Sequence, residues 1–194
     1  MALAVGTTAP DFTVNDQQGN PFNLSSLKGR KVVMYFYPRD MTPGCTAEAC
    51  SLRDNYAALQ KAGYEILGVS SDDEKSHRKF IEKEKLPFRL LADVDKSVHA
   101  KYGTWVEKSM YGRKYMGTAR VTYVIDENRI IREVIEQVDT RNHAHQILGT
   151  QPAAAPKATK PVAKKKVAAK KVSVKKAPKK KAVKVARKAA KKKK

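Results

Sequence analysis

The chain has 194 residues, only two of them cysteine, and a formal net charge of +21, a length that buries one good core. The charge is not spread evenly: residues 151–194 hold eighteen Lys and one Arg with no acid, which leaves +2 for residues 1–150. A near-neutral domain is therefore followed by a cationic tail. The opening "MALAVGTTAPDF" has neither the basic segment nor the apolar run of a secretion signal, and no stretch approaches a membrane span. The expectation is a cytoplasmic protein in a reducing compartment, where a cysteine pair is more often catalytic or metal-binding than structural.

In chain order, "RKVVMYFY" (30–37) reads as a buried strand ended by Pro38, which cannot donate to a ladder. "AEACSLRDNYAALQKAG" (47–63) reads as a helix with Leu52, Tyr56 and Leu59 on one face and Gly63 as its stop. "YEILGVSS" (64–71) is a second buried strand, and "DDEKSHRKFIEKEK" (72–85) is a polar helix with an acidic first turn that ends before Pro87. "FRLLAD" (88–93) and a short helix around 95–102 follow. "ARVTYVIDENRIIREVIEQV" (119–138) is a hairpin turning at Asp126–Asn128. The order βαβαβαββ with a closing helix argues for a three-layer α/β domain. From Gln151 the composition shifts to Ala, Lys, Val and Pro without aromatics. Its like charges repel and it buries too little to offset chain entropy, so it reads as disordered in isolation.

Both cysteines fall in "YFYPRDMTPGCTAEAC" (35–50). Thr42 has the form of an N-cap, Pro43 of a first helical residue, and Cys45 lies in the first turn. A thiolate there faces unpaired backbone N–H groups and the positive end of the helix dipole, which favours the ionised sulfur. Ionisation alone is worth no more than about thirtyfold in rate, so larger effects need positioning of an electrophile and stabilisation of developing charge. Cys50 stands five residues on, which in a helix separates the two Cα atoms by roughly 8.7 Å and puts them on different faces. Disulfides rarely tolerate more than about 7 Å. The two sulfurs can meet only if the first turns unwind, so a bridge formed during turnover fits better than a static one.

The stretch "FYPRDMTPGCTAEACSLRD" resembles the active site of a peroxiredoxin of the bacterioferritin-comigratory, or peroxiredoxin Q, subfamily. The family's pattern of Pro, three residues, Thr, two residues and Cys is met by Pro38, Thr42 and Cys45. "GTTAPDF", "GVSSDD", "WVEKSMYGRKYMG" and "ARVTYVID" extend the resemblance over residues 3–149. It implies a thioredoxin-like fold over residues 1–150, a central mixed β-sheet flanked by helices. It also implies a peroxidase acting on hydrogen peroxide and organic hydroperoxides, with no cofactor and no metal. Cys45 would be the peroxidatic nucleophile, Arg120 would hold thiolate and peroxide, Thr42 would turn its hydroxyl to that pocket, and Pro38 would shield it from water. Cys50 would condense with the sulfenic acid on Cys45 to a disulfide. Thioredoxin or a similar dithiol would reduce it. A monomer or weak dimer is the expected assembly.

The rival use of the cysteines is a zinc set of Cys45, Cys50, His143 and His145, although a C-x4-C spacing is wide for a knuckle and the histidines need only be helix-surface residues. Glu48 reads as a first-turn acid without a catalytic role. The tail resembles the Lys-rich C-terminal tails of linker histones and some bacterial nucleoid proteins. It is expected to bind DNA or RNA without reading sequence, through counterion release, giving nucleoid association, or nuclear import were the source eukaryotic. The competing function is a DNA-associated peroxide sensor with stoichiometric redox chemistry, separated from the enzyme by whether peroxide is turned over.

Overall fold

The computed structural model describes residues 2–110 and 112–149; the tail, and the expectation of disorder attached to it, lies outside them. In chain order the strands are β1 (Thr13–Asp16), β2 (Pro21–Asn23), β3 (Lys31–Phe36), β4 (Tyr64–Ser70), β5 (Arg89–Ala92), β6 (Trp105–Met110), β7 (Arg113–Thr118), β8 (Val121–Ile125) and β9 (Ile131–Ile135). The helices are α1 (Pro43–Asp54), α2 (Tyr56–Lys61), α3 (Glu74–Glu84), α4 (Ser97–Lys101) and α5 (His143–Gly149). Seven strands form one mixed sheet in the order β2-β1-β5-β4-β3-β8-β9, and β6 and β7 form a separate hairpin. Strands β3, β4 and β5 run parallel, with antiparallel neighbours on either side. This is the thioredoxin-like α/β architecture with flanking helices that the sequence led us to expect.

The alternation along β3 explains its place at the centre. Val32, Met34 and Phe36 enter one core with Phe12, Phe22, Val98, Tyr102 and Tyr123. Val33, Tyr35 and Tyr37 enter the other, with Ala49 and Leu52 of α1, Phe80 of α3 and Ile147 of α5. A strand covered on both faces has to be a continuous apolar run, and this one is. Beside it Gly68 of β4 leaves room for neighbours: a Cβ there would come within 2.6 Å of Leu90 and 2.8 Å of the Tyr35 ring.

Two expectations need correcting. The single helix over 47–63 is two, because the chain breaks at Asn55 and restarts at Tyr56. Its start at Pro43, with Thr42 as N-cap, is the one that "TPGC" led us to expect. The β1–β2 and β6–β7 hairpins were not foreseen. The first turns on Asp16, whose Oδ1 accepts from the backbone N–H groups of Gln18 and Asn20. The second is largely exposed along β7, so it carries little of the apolar alternation by which strands are recognised. Among the described residues no helix is long and apolar enough to cross a membrane.

Candidate active site

Helix α1 is built to hold a sulfur at its start. Thr42 occupies the N-cap position with extended backbone (φ −78°, ψ 150°) and Pro43 follows at the first position, where a missing N–H costs nothing. The Thr42 carbonyl accepts the first intrahelical bond, from Thr46 N–H at 2.8 Å. The Thr42 hydroxyl makes no capping bond and donates instead to the Arg39 carbonyl at 3.1 Å. Pro38, just beyond the end of β3, is half-buried at the head of this loop. The loop itself is pinned by Asp40, whose N–H donates to Asp72 at 2.8 Å. Its buried carboxylate accepts from the Tyr37 hydroxyl at 2.7 Å and meets His77 Nδ1 at 2.8 Å.

Cys45 is 1 % exposed. Arg120, at the mouth of β8, spreads one guanidinium fork over two acids: Nη2 donates to Cys45 Sγ at 3.3 Å, and Nη1 donates to Glu48 Oε2. Burial acts against the Arg120 charge, but Glu48 and Cys45 outweigh it and its pKa is raised. Beside Arg120 lies an open groove of about 470 Å³ lined by Val106, Ala119 and Val121 and by the charged Lys108 and Glu136. Burial lowers the Lys108 pKa, and Arg120 lowers it further.

Glu48 corrects the sequence reading. It lies in the second turn of α1, fully buried, and burial pushes its carboxyl up to about 7 against the opposing pull of Arg120. The available signal was its spacing: i and i+3 share a helix face, so any cation over Cys45 also reaches Glu48. His143, the first residue of α5, is equally buried and its Nε2 lies 3.8 Å from Glu48 Oε1. Burial pushes the His143 pKa down to about 4, so at neutral pH this contact is not an ion pair. The zinc set does not assemble: His143 is buried among Thr122 and Gln146, His145 is exposed, and among the described residues no group of three or more His, Cys, Asp or Glu is placed to hold a metal.

Cys50 lies farther along the unbroken α1 and is half-exposed. Its thiol points to Glu84 Oε2, at 3.7 Å. Burial raises its pKa and the nearby Glu84 adds to this, while Arg53 opposes. Arg53 Nη1 ties the same turn to the Glu84 carbonyl at 2.6 Å. Both thiols are free, and they face different surroundings.

The site is thus a buried thiol at a helix start under a guanidinium, set on a thioredoxin-like sheet. The AhpC/TSA family profile matches residues 5–134. A putative peroxiredoxin bcp of Coxiella burnetii is 45 % identical over 149 residues, covering 77 % of this chain and 99 % of that protein. Peroxiredoxin Bcp of Escherichia coli is 44 % identical over 146 residues, covering 75 % and 94 %. Among solved structures, a Xanthomonas campestris peroxiredoxin Q superposes with a TM-score of 0.68 at 33 % identity, covering 71 % of this chain and 87 % of that one. The chain belongs to the AhpC/TSA family, among its Bcp/PrxQ peroxiredoxins, and is a thiol peroxidase.

Proposed function

We propose that Cys45 is the sulfur that attacks peroxide, that Arg120 holds its thiolate and the peroxide together, and that Cys50 resolves the product. The observation that carries this reading is the 3.3 Å contact between Arg120 Nη2 and Cys45 Sγ, made at the start of a helix whose first N–H groups have no intrahelical partner. Thr42, with its own proton given to Arg39, keeps lone pairs free to accept the hydroxyl of an incoming peroxide. Pro38 covers the loop against water. Attack forms the S–O bond of a sulfenic acid on Cys45 and releases water or an alcohol. Hydrogen peroxide and organic hydroperoxides are both substrates on this reading.

Cys50 then condenses with the sulfenic acid, expelling water and leaving a disulfide that thioredoxin or a similar dithiol reduces. Because α1 runs unbroken through both cysteines, its first turns must open for the bridge to close. Cys50→Ser is expected to preserve the first oxidation but to lose recycling by thioredoxin. In the wild type, amide exchange over residues 43–52 is expected to rise in the disulfide form. Normal thioredoxin-linked turnover by Cys50→Ser, or unchanged exchange in the oxidised wild type, would remove Cys50 from this role.

The tail, residues 151–194, is proposed to hold the enzyme on nucleic acid. The preceding residues carry only +2, whereas the tail supplies nineteen cations. If about ten contact phosphates, affinity falls with salt at a log–log slope of roughly −9, without preference for base sequence. Removing residues 151–194 is expected to abolish binding to two unrelated duplexes and to leave peroxide turnover nearly unchanged. Equal affinity of the truncated protein in a salt-series titration would move the binding site to the folded domain.

A further inference from the structure

The buried pair behind Arg120 has a proton inventory that the reaction can use. Hydrogen bonds fix the His143 tautomer from outside. Gln146 Oε1 accepts from the Asp139 N–H at 2.8 Å and Gln146 Nε2 donates to the Gln137 carbonyl at 3.1 Å, so the amide orientation is set. His143 Nδ1, 3.2 Å from that same Oε1, must therefore carry a hydrogen. In the neutral ring Nε2 is then an acceptor, and it takes the Thr122 hydroxyl at 2.9 Å. Opposite it, at 3.8 Å, stands Glu48 Oε1, which is buried without a hydrogen-bond partner. The Nε2 lone pair is already taken by Thr122, so Glu48 Oε1 is the acceptor left without a donor, facing a ring that offers it no N–H; a proton on that carboxyl removes the uncompensated charge.

The same carboxylate competes with Cys45 for a single cation, since one guanidinium serves both. With thiolate and carboxylate both ionised, this buried cluster carries one excess negative charge. With one proton added it is neutral. Two other titratable groups face the cluster. Tyr35 of β3 has a phenol whose pKa is raised well above its usual value, chiefly by burial, and it keeps its proton. Lys108 of β6, half-buried on the groove side and donating to the Thr118 carbonyl, adds a cation near Arg120 and Cys45, outside the buried pair.

Resting on the assignment of Cys45 as the attacking sulfur, we propose that Glu48 and His143 form a one-proton store, coupled to Cys45 through Arg120. The store fills as the thiol ionises and empties as the peroxide O–O bond breaks. In the first step Cys45–SH and Glu48–COO⁻ become Cys45–S⁻ and Glu48–COOH. In the second, the thiolate attacks one peroxide oxygen, the O–O electron pair leaves with the other oxygen, and that oxygen takes up a proton while the store releases one. Cys45–S⁻, ROOH and Glu48–COOH thus give Cys45–SOH, ROH and Glu48–COO⁻. Loss of the thiolate charge from Arg120 is what makes the carboxylate form favourable at that moment. Neither Glu48 nor His143 touches the substrate, so both are positioning residues that act through Arg120.

The test uses full-length protein carrying Cys50→Ser, so that oxidation stops at the sulfenic acid, with hydrogen peroxide as the probe. Proton exchange with a weakly buffered pH indicator is followed during one turnover near pH 7, and infrared difference spectra are taken before and after. With Glu48 present, little proton uptake from solution and loss of a carboxylic-acid carbonyl band are expected. With Glu48→Gln added, uptake should rise toward about one proton per Cys45 oxidised, and the band should be missing. His143→Gln should shift the pH at which the reduced protein's band disappears. Equal proton uptake with and without Glu48, or no carboxylic-acid band in the reduced protein, overturns the store, and an unshifted band removes His143 from it. Failure of Cys45 to oxidise at all would instead strike the functional assignment on which the store rests.

Discussion

Replacing Cys45 by Ser is expected to reduce peroxide turnover to the uncatalysed background, the largest single effect in this protein. Serine nearly keeps the volume, so the buried site, in the same core cluster as Ala49 and Tyr37, should still fold, and the loss should be chemical. A hydroxyl is not ionised to any useful extent at neutral pH, and an alkoxide could not hold the oxidised state that a sulfenic acid stores. Thioredoxin-coupled consumption of hydrogen peroxide, run with wild type and Cys45→Ser at equal folded concentration, makes the comparison. Retained turnover in the variant would move the nucleophile away from α1.

Arg120→Ala is expected to have the next largest effect, lowering the second-order rate with peroxide by about 10²–10³, the range for removing one preorganised charged donor. The fork serves the thiolate and Glu48 together, so its loss leaves a buried carboxyl without its cation. Glu48 has the means to respond by holding its proton, because its carboxyl already titrates at about 7. Protonation limits the cost to folding, and the rate should therefore suffer more than the stability. Stopped-flow oxidation beside denaturant unfolding separates the two effects. An unaltered rate constant would take the guanidinium out of the reaction.

The parts of this molecule that follow from short-range rules were legible in the chain. A strand buried on both faces announces itself as "VVMYFY", and a helix start announces itself as "TPGC", because backbone preferences act within a few residues. The hairpin of β8 and β9 was placed by its turn at Asp126, whose Oδ1 accepts from Asn128 and Ile130. What escaped depends on tertiary packing. The face of α1 that turns Glu48 inward was readable only as a spacing, and nothing local said that Arg120, 72 positions away, would meet it. His143 is the clearer case: in "NHAHQ" the two histidines look alike, yet one is fully buried against Thr122 and Glu48 and the other is exposed. The Tyr37–Asp40–His77 cluster that fixes the loop before Cys45 likewise joins a strand, a loop and α3 through contacts that no periodicity encodes.

The central claim, that Cys45 takes the oxygen and Cys50 removes it, is tested most directly by peptide mapping after one equivalent of hydrogen peroxide, with sulfenic acids trapped. The wild type should yield a Cys45–Cys50 disulfide within one chain, and Cys50→Ser should yield one trapped sulfenic acid on Cys45. Sulfenic acid on Cys50 with Cys45 left as free thiol would contradict the account.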